Sequence, residues 1–164
     1  MIHSERMIEV TELLYKEADL LDSADLDEWL ELYAEDGTYW MPVTPEQEDP
    51  LNHISLFYDD RTIMEIRRRN LKHPRAASKD LPIRSSHIIG NIRIVKGEAQ
   101  NKSEDKMTVR SNFHCAVYSN NKQVLYAGTY KHDLIRVDNL WRIHHKRVDL
   151  INCDANLGAI LIYL

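Results

Sequence analysis

DEWLELYAEDGTYWMP, residues 27–42, decides the architecture of this chain. Trp29, Leu30 and Tyr33 fall at helical spacing, and Asp36-Gly37 reads as the break that ends the helix. Thr38, Tyr39, Trp40 and Met41 then favour an extended chain, which Pro42 stops. A helix that turns directly into an aromatic strand predicts helices laid over a sheet, the α+β class. No residue of the block is an obvious catalyst.

Upstream, residues 5–22 read as a helix with Met7, Ile8, Val10, Leu13, Leu14, Ala18 and Leu21 on one stripe. Asp22-Ser23 breaks it. Asp25 caps the next helix, with Glu28 placed to reach back from the third helical position. The short linker makes the two helices antiparallel neighbours. Downstream, residues 43–60 are acidic and rich in proline and read as a surface loop with one apolar piece, Ile54–Tyr58. A third helix covers 61–72 and Pro74 ends it; its Arg67-Arg68-Arg69 run points three ways and reads as a solvated or salt-bridged face.

The remainder reads as β. A strand spans 84–96, and Gly97 to Asp105 forms a polar loop. Met107, Val109, Phe113, Cys115 and Val117 keep a period of two. Asn120-Asn121 turns the chain into a strand with Val124, Tyr126, Tyr130 and Leu134 on one face; Asp138-Asn139 turns it again into Leu140 to Asn152. The apolar phase slips between Ile143 and Val148, which predicts a bulge near 144–147. Short polar turns make this an antiparallel meander. Leu125, Ala127 and Ile135 give its second face apolar residues too, and the chain ends LGAILIYL, residues 157–164. Such a tail either returns as an added strand or packs on another subunit, and both features point to an oligomer that covers the outer face of the sheet.

With 164 residues and no repeat or linker, one domain spanning 1–164 is expected. A net charge of -5 argues against nucleic acid as a partner. No run suits a secretory signal or a membrane span, so a cytoplasmic protein is expected, with Cys115 and Cys153 as buried, reduced thiols. Of eight histidines, His144 and His145 precede Asp149, but adjacent strand residues point to opposite faces and cannot easily grip one ion. Paired Cys-x-His motifs for an iron–sulfur cluster are missing, as are a phosphate loop and a nucleophile elbow. Metal, cofactor-binding and catalytic residues are therefore all expected to be none. The one acid–base arrangement open to the sequence sets His87 with Asp36 or Tyr39 in a pocket lined by Tyr126 or Tyr130. An interior filled by Trp29, Tyr33, Trp40 and aliphatics argues against it.

Four stretches carry a resemblance: LLYKEADLLDSADLDEWLELYAEDGTYWMP at 13–42, ISLFYDDR at 54–61, RSSHIIGNIRI at 84–94 and VDLINCDANLGAILIYL at 148–164. Together they resemble the β (small) subunit of bacterial aromatic-ring-hydroxylating dioxygenases, in its benzoate and anthranilate dioxygenase branch. The resemblance implies an NTF2-like cone, with N-terminal helices packed on a strongly curved antiparallel sheet. It implies a non-catalytic subunit in an α3β3 heterohexamer, self-associating as a trimer. The partner α subunit would carry the Rieske [2Fe–2S] cluster and the mononuclear Fe(II), and a reductase would bring electrons from NADH. The substrate implied is an aromatic ring, benzoate-like, converted to a cis-dihydrodiol. The alternative is a stand-alone NTF2-like lyase or isomerase that uses the His87 pocket.

Overall fold

The computed structural model describes residues 2–72, 83–95 and 103–164. Its elements run α1 (Ile2–Asp22), α2 (Leu26–Glu31), β1 (Tyr33–Pro42), β2 (Ser55–Asp60), α3 (Arg61–Lys72), β3 (Arg84–Ile94), β4 (Lys106–Ser119), β5 (Lys122–Val137) and β6 (Leu140–Leu150). The strands form one open sheet in the order β2-β1-β6-β5-β4-β3. β3 to β6 are the expected antiparallel meander. Two-residue turns set its registers. Asn120 and Asn121 (φ 52 and 59°) and Asp138 and Asn139 (φ 50 and 63°) take the left-handed region that such hairpins demand and that Asn and Asp tolerate. α1 touches both β3 and β6, three strands apart, so the sheet curls around the helix into a half-closed cone.

α2 begins as expected, with the Asp25 carboxylate accepting from the Glu28 N–H at 3.1 Å. Glu28 itself turns towards Lys16, at 3.8 Å, and leaves the reciprocal half of the capping box unmade. The helix then stops earlier than its spacing predicts. Tyr33 opens β1 instead of continuing α2, because the Ile143 N–H of β6 takes the Leu32 carbonyl at 2.8 Å and draws the chain into the sheet. β1 runs parallel to β6, the one parallel pair in the described sheet. Asp36-Gly37 is accordingly no helix stop but the irregular middle of β1, where its register against β6 shifts between Tyr33 and Thr38. A side chain at Gly37 would lie 3.0 Å from the Ala34 carbonyl and 3.1 Å from that of Ile143.

Of the apolar piece expected at Ile54–Tyr58 in the 43–60 loop, all but exposed Ile54 belongs to β2, an antiparallel edge strand on β1. The expected helix at 61–72 is present with those bounds; Pro74 and most of the loop 97–105 lie outside the described residues. The bulge in β6 falls on His144. Asp133 faces His145 and Leu134 faces Ile143, so His144 is the extra residue. The tail is neither a strand nor spread on the surface. Residues 157–162 cross the molecule without regular structure, and Tyr163 and Leu164 are buried inside the cone. There Tyr163 lies flat on Trp29, with ring centres 4.5 Å apart, and the two join Tyr33, Tyr39 and Phe57 in an aromatic cluster. Phe113 stacks on Tyr130 at 4.0 Å deeper in. Trp40, unlike Trp29 and Tyr33, does not fill the interior: Arg147 covers its ring at 4.5 Å and its Nε1–H donates to Ser55 at 2.9 Å.

Candidate functional site

Chemistry inside the cone starts from the bulge. Simple alternation from Ile143 would turn His145 and Arg147 inward. The extra residue at His144 advances the phase by one, so Lys146, Val148 and Leu150 face the core instead. Lys146 sits opposite His132 in the register, and Glu17 enters from α1, on the same helical stripe as Val10, Leu14 and Leu21. All three are essentially without solvent contact. Lys146 Nζ donates to Glu17 Oε1 at 2.8 Å, and His132 Nε2 lies 2.9 Å from Glu17 Oε2. A carboxylate only accepts, so His132 carries its proton on Nε2. Burial by itself pushes the Glu17 carboxyl upward; Lys146 and His132 outweigh it, and hold the group ionised well below the usual carboxylate range.

The same ammonium donates to the Leu164 main-chain oxygen at 2.9 Å. The Tyr39 hydroxyl donates to that oxygen at 3.1 Å and accepts from the Leu164 N–H at 3.0 Å. The Tyr163 hydroxyl donates to Asp59 at 2.7 Å, and Arg67 pairs with the same carboxylate. Burial drives the Tyr39 and Tyr163 phenols far above their ordinary pKa, so both stay neutral donors.

The His87 pocket does not assemble. His87 reaches neither Asp36 nor Tyr39. Its Nδ1 lies 2.6 Å from Asp22 Oδ1, and its main-chain N–H donates to the other oxygen of Asp22 at 2.9 Å. Burial lowers the His87 pKa, with Asp22 opposing the shift. Cys115 lies 3.7 Å from the same Nδ1, so Cys, His and Asp sit together without forming a relay, which needs the two ring nitrogens to serve different partners. The Cys115 thiol is pushed up to about 12 by burial and then by Asp22, the reverse of an activated nucleophile. Asp36 is exposed and lies 3.1 Å from His144 Nε2. Tyr126 and Tyr130 do face the interior, but among tail and aromatic side chains.

His144 and His145 are expected on opposite faces; the bulge instead brings their rings together, centres 3.8 Å apart and tilted by 31°. His145 Nδ1 bonds Thr38 Oγ1 at 2.7 Å, and Asp149 pairs with Arg147. Among the described residues no group of three or more His, Cys, Asp and Glu side chains comes together to hold a metal ion. The arginine run behaves as expected, each member taking its own acid: Asp59, Asp27 and Glu65. Sequence reasoning missed the Glu17–Lys146–His132 cluster. Its signal was available in part, as a lone acid on the apolar stripe of α1.

These features define an NTF2-like α+β cone whose interior is closed by its own tail. A family model described as "Ring hydroxylating beta subunit" matches residues 16–156. The 2-halobenzoate 1,2-dioxygenase small subunit of Burkholderia cepacia is 31% identical over 150 residues, 88% of either chain. The small oxygenase component of the p-cumate 2,3-dioxygenase system of Pseudomonas putida is 33% identical, over 93% of this chain and 80% of that one. The crystal structure of the benzoate 1,2-dioxygenase beta subunit from Burkholderia mallei superposes with a TM-score of 0.73 at 28% identity, covering 94% of this chain and 95% of the other. The chain belongs to the ring-hydroxylating beta subunit family, the non-catalytic part of aromatic-ring-hydroxylating dioxygenases. No helix among the described residues is long and apolar enough to cross a membrane.

Proposed function

We propose that this chain, folded as one domain, is the architectural subunit of a cytoplasmic α3β3 dioxygenase acting on a benzoate-like aromatic acid. The α partner holds the Rieske cluster and the mononuclear iron, draws electrons from NADH through a reductase, and cis-dihydroxylates the ring. No residue of this chain takes part in the chemistry. The observation that carries this reading is the closed interior: His87 is sealed beside Asp22, and Tyr163 and Leu164 are buried in the core of the cone. The relatives named above are subunits of 2-halobenzoate, p-cumate and benzoate dioxygenases, enzymes named for ring acids, which supports the substrate class.

The outer face of the sheet supports the assembly. Ile88 and Leu125 are exposed and lie on one face, linked through the registers Ile88–His114–Ala127 and Ala116–Leu125. Exposed Ile151 adjoins them, its N–H bound to the Ala127 carbonyl at 3.0 Å. An apolar patch of this kind is a surface for burial against other subunits. Co-expression with an α subunit, recognised by Cys-x-His and Cys-x-x-His in one chain, tests the reading. The two chains should co-elute as one large assembly on gel filtration; a β chain that stays alone throughout overturns it.

A further inference from the structure

The cone holds more polar machinery than packing requires, and the tail sits directly on it. Besides the ion pair of Glu17 and Lys146, Tyr130 Oη, His132 Nδ1 and Trp29 Nε1 are among the polar atoms of the described residues that lie buried without a partner. A core that serves packing alone leaves few such atoms unsatisfied. The tail contributes one aromatic ring, stacked on Trp29, and the main chain of Leu164, whose oxygen takes Lys146 and Tyr39 while its N–H gives to Tyr39. A flat ring plus a carbonyl is the outline of a small-molecule ligand. The segment that delivers it packs on the core through Leu157, Ile160 and Ile162 but lies outside the sheet. From Leu157 to Leu164 there is no helix or strand, and Gly158, Ala159 and Leu161 are exposed. A segment held by side-chain contacts without a sheet ladder opens more readily than a strand inside a sheet.

We propose that the cone is a binding site whose resident occupant is the chain's own tail, and that displacing the tail lets it take a small aromatic carbonyl compound. The ring lies on Trp29 in place of Tyr163, and the carbonyl oxygen meets Lys146 Nζ and the Tyr39 hydroxyl in place of the Leu164 main chain. The tail thus acts as a built-in competitor, and the affinity of the cone for such compounds is set by how often the tail is out.

The test uses the full chain carrying Tyr163→Ala, titrated with benzamide and with benzoate by calorimetry and thermal melting. One or both should bind saturably, with a Kd of about 1 mM or tighter, and raise the melting temperature. The comparison of the two tells whether the neutral or the charged form is preferred. The unsubstituted chain should bind at least about tenfold more weakly, and adding Tyr39→Phe to Tyr163→Ala should cost about tenfold or more, the worth of a hydrogen bond to the carbonyl. Should Tyr163→Ala fail to fold unaided, saturating probe should restore a cooperative melt. The proposal is overturned if neither probe binds the folded variant, if neither restores a variant that does not fold, if the unsubstituted chain binds equally well, or if Tyr39→Phe changes nothing.

Discussion

Lys146 is the side chain on which most of the interior depends. It neutralises Glu17, anchors the tail, and covers the Tyr130 ring at 4.2 Å. Removing one member of a buried ion pair leaves the other charged with no compensation, so Lys146→Met should cost about 3–5 kcal/mol. Urea unfolding measures it. Glu17→Leu combined with Lys146→Met should lose clearly less than the two single changes summed, since the pair is coupled; simple additivity would show that no such pairing exists. Titration belongs at the same scale. The folded-state pKa of His87 lies below its unfolded value of about 6.5, so on acidification the unfolded chain takes up the proton first. The stability His87 contributes is present above that value and lost as pH falls through the folded pKa. Half-buried His145 is shifted the same way, by desolvation and then by His144. The urea midpoint should therefore drop between pH 7.5 and 5.5, and drop less in His87→Gln; an equal drop in both chains rules the residue out. Glu17 has the same sign at lower pH. Its contribution stands above about 4.3, the unfolded carboxyl value, and disappears only in stronger acid.

Among the elements, β5 and β6 are held closest. A Cβ built on Gly128 would stand 1.9 Å from the Asp149 carbonyl oxygen, and that atom is backbone, which cannot swing away. Gly90 in β3 meets nothing within 4 Å. Gly128→Ala should destabilise by about 3 kcal/mol or more, at the upper end of overpacking costs, whereas Gly90→Ala should stay within about 0.5 kcal/mol, as for a surface change. Thermal melts of the two alanine variants, side by side, decide whether the close approach limits the sheet. The same element shows where sequence reading holds and where it slips. The phase change across Ile143–Val148 located the bulge, but which side chain it would send inward depends on the single residue inserted. With His144 as that residue, Lys146 enters the core and Arg147 goes out to Trp40. At the end of α2, helical spacing carried Tyr33 one turn too far, because local periodicity takes no account of the β6 amide that captures the Leu32 carbonyl.

For the whole molecule the decisive surface is the outer face of the sheet. Ile88 and Leu125 contribute little to the isolated fold, since both are largely exposed. Ile88→Lys and Leu125→Lys should leave the melt of the isolated chain within about 0.5 kcal/mol. Each should weaken assembly with the α subunit or with further copies, read by sedimentation velocity of the co-expressed complex. An assembly unchanged by both substitutions would place the contacts elsewhere.

The order of helices before strands, both Asn and Asp turns, the third helix, the β6 bulge and the family were all legible from residue pattern, because hairpin turns and apolar periodicity act over a few neighbours. Three things required the folded chain. The first was the parallel pairing of β1 on β6, which joins segments about a hundred residues apart. The second was the partner of His87, Asp22 rather than Asp36 or Tyr39. The third was the destination of the tail, which the sequence assigned to an added strand or another subunit and whose end the fold buries in its own core instead. Each of these is a long-range contact, chosen by which surfaces the closed cone brings together, and local propensity carries no information about that choice.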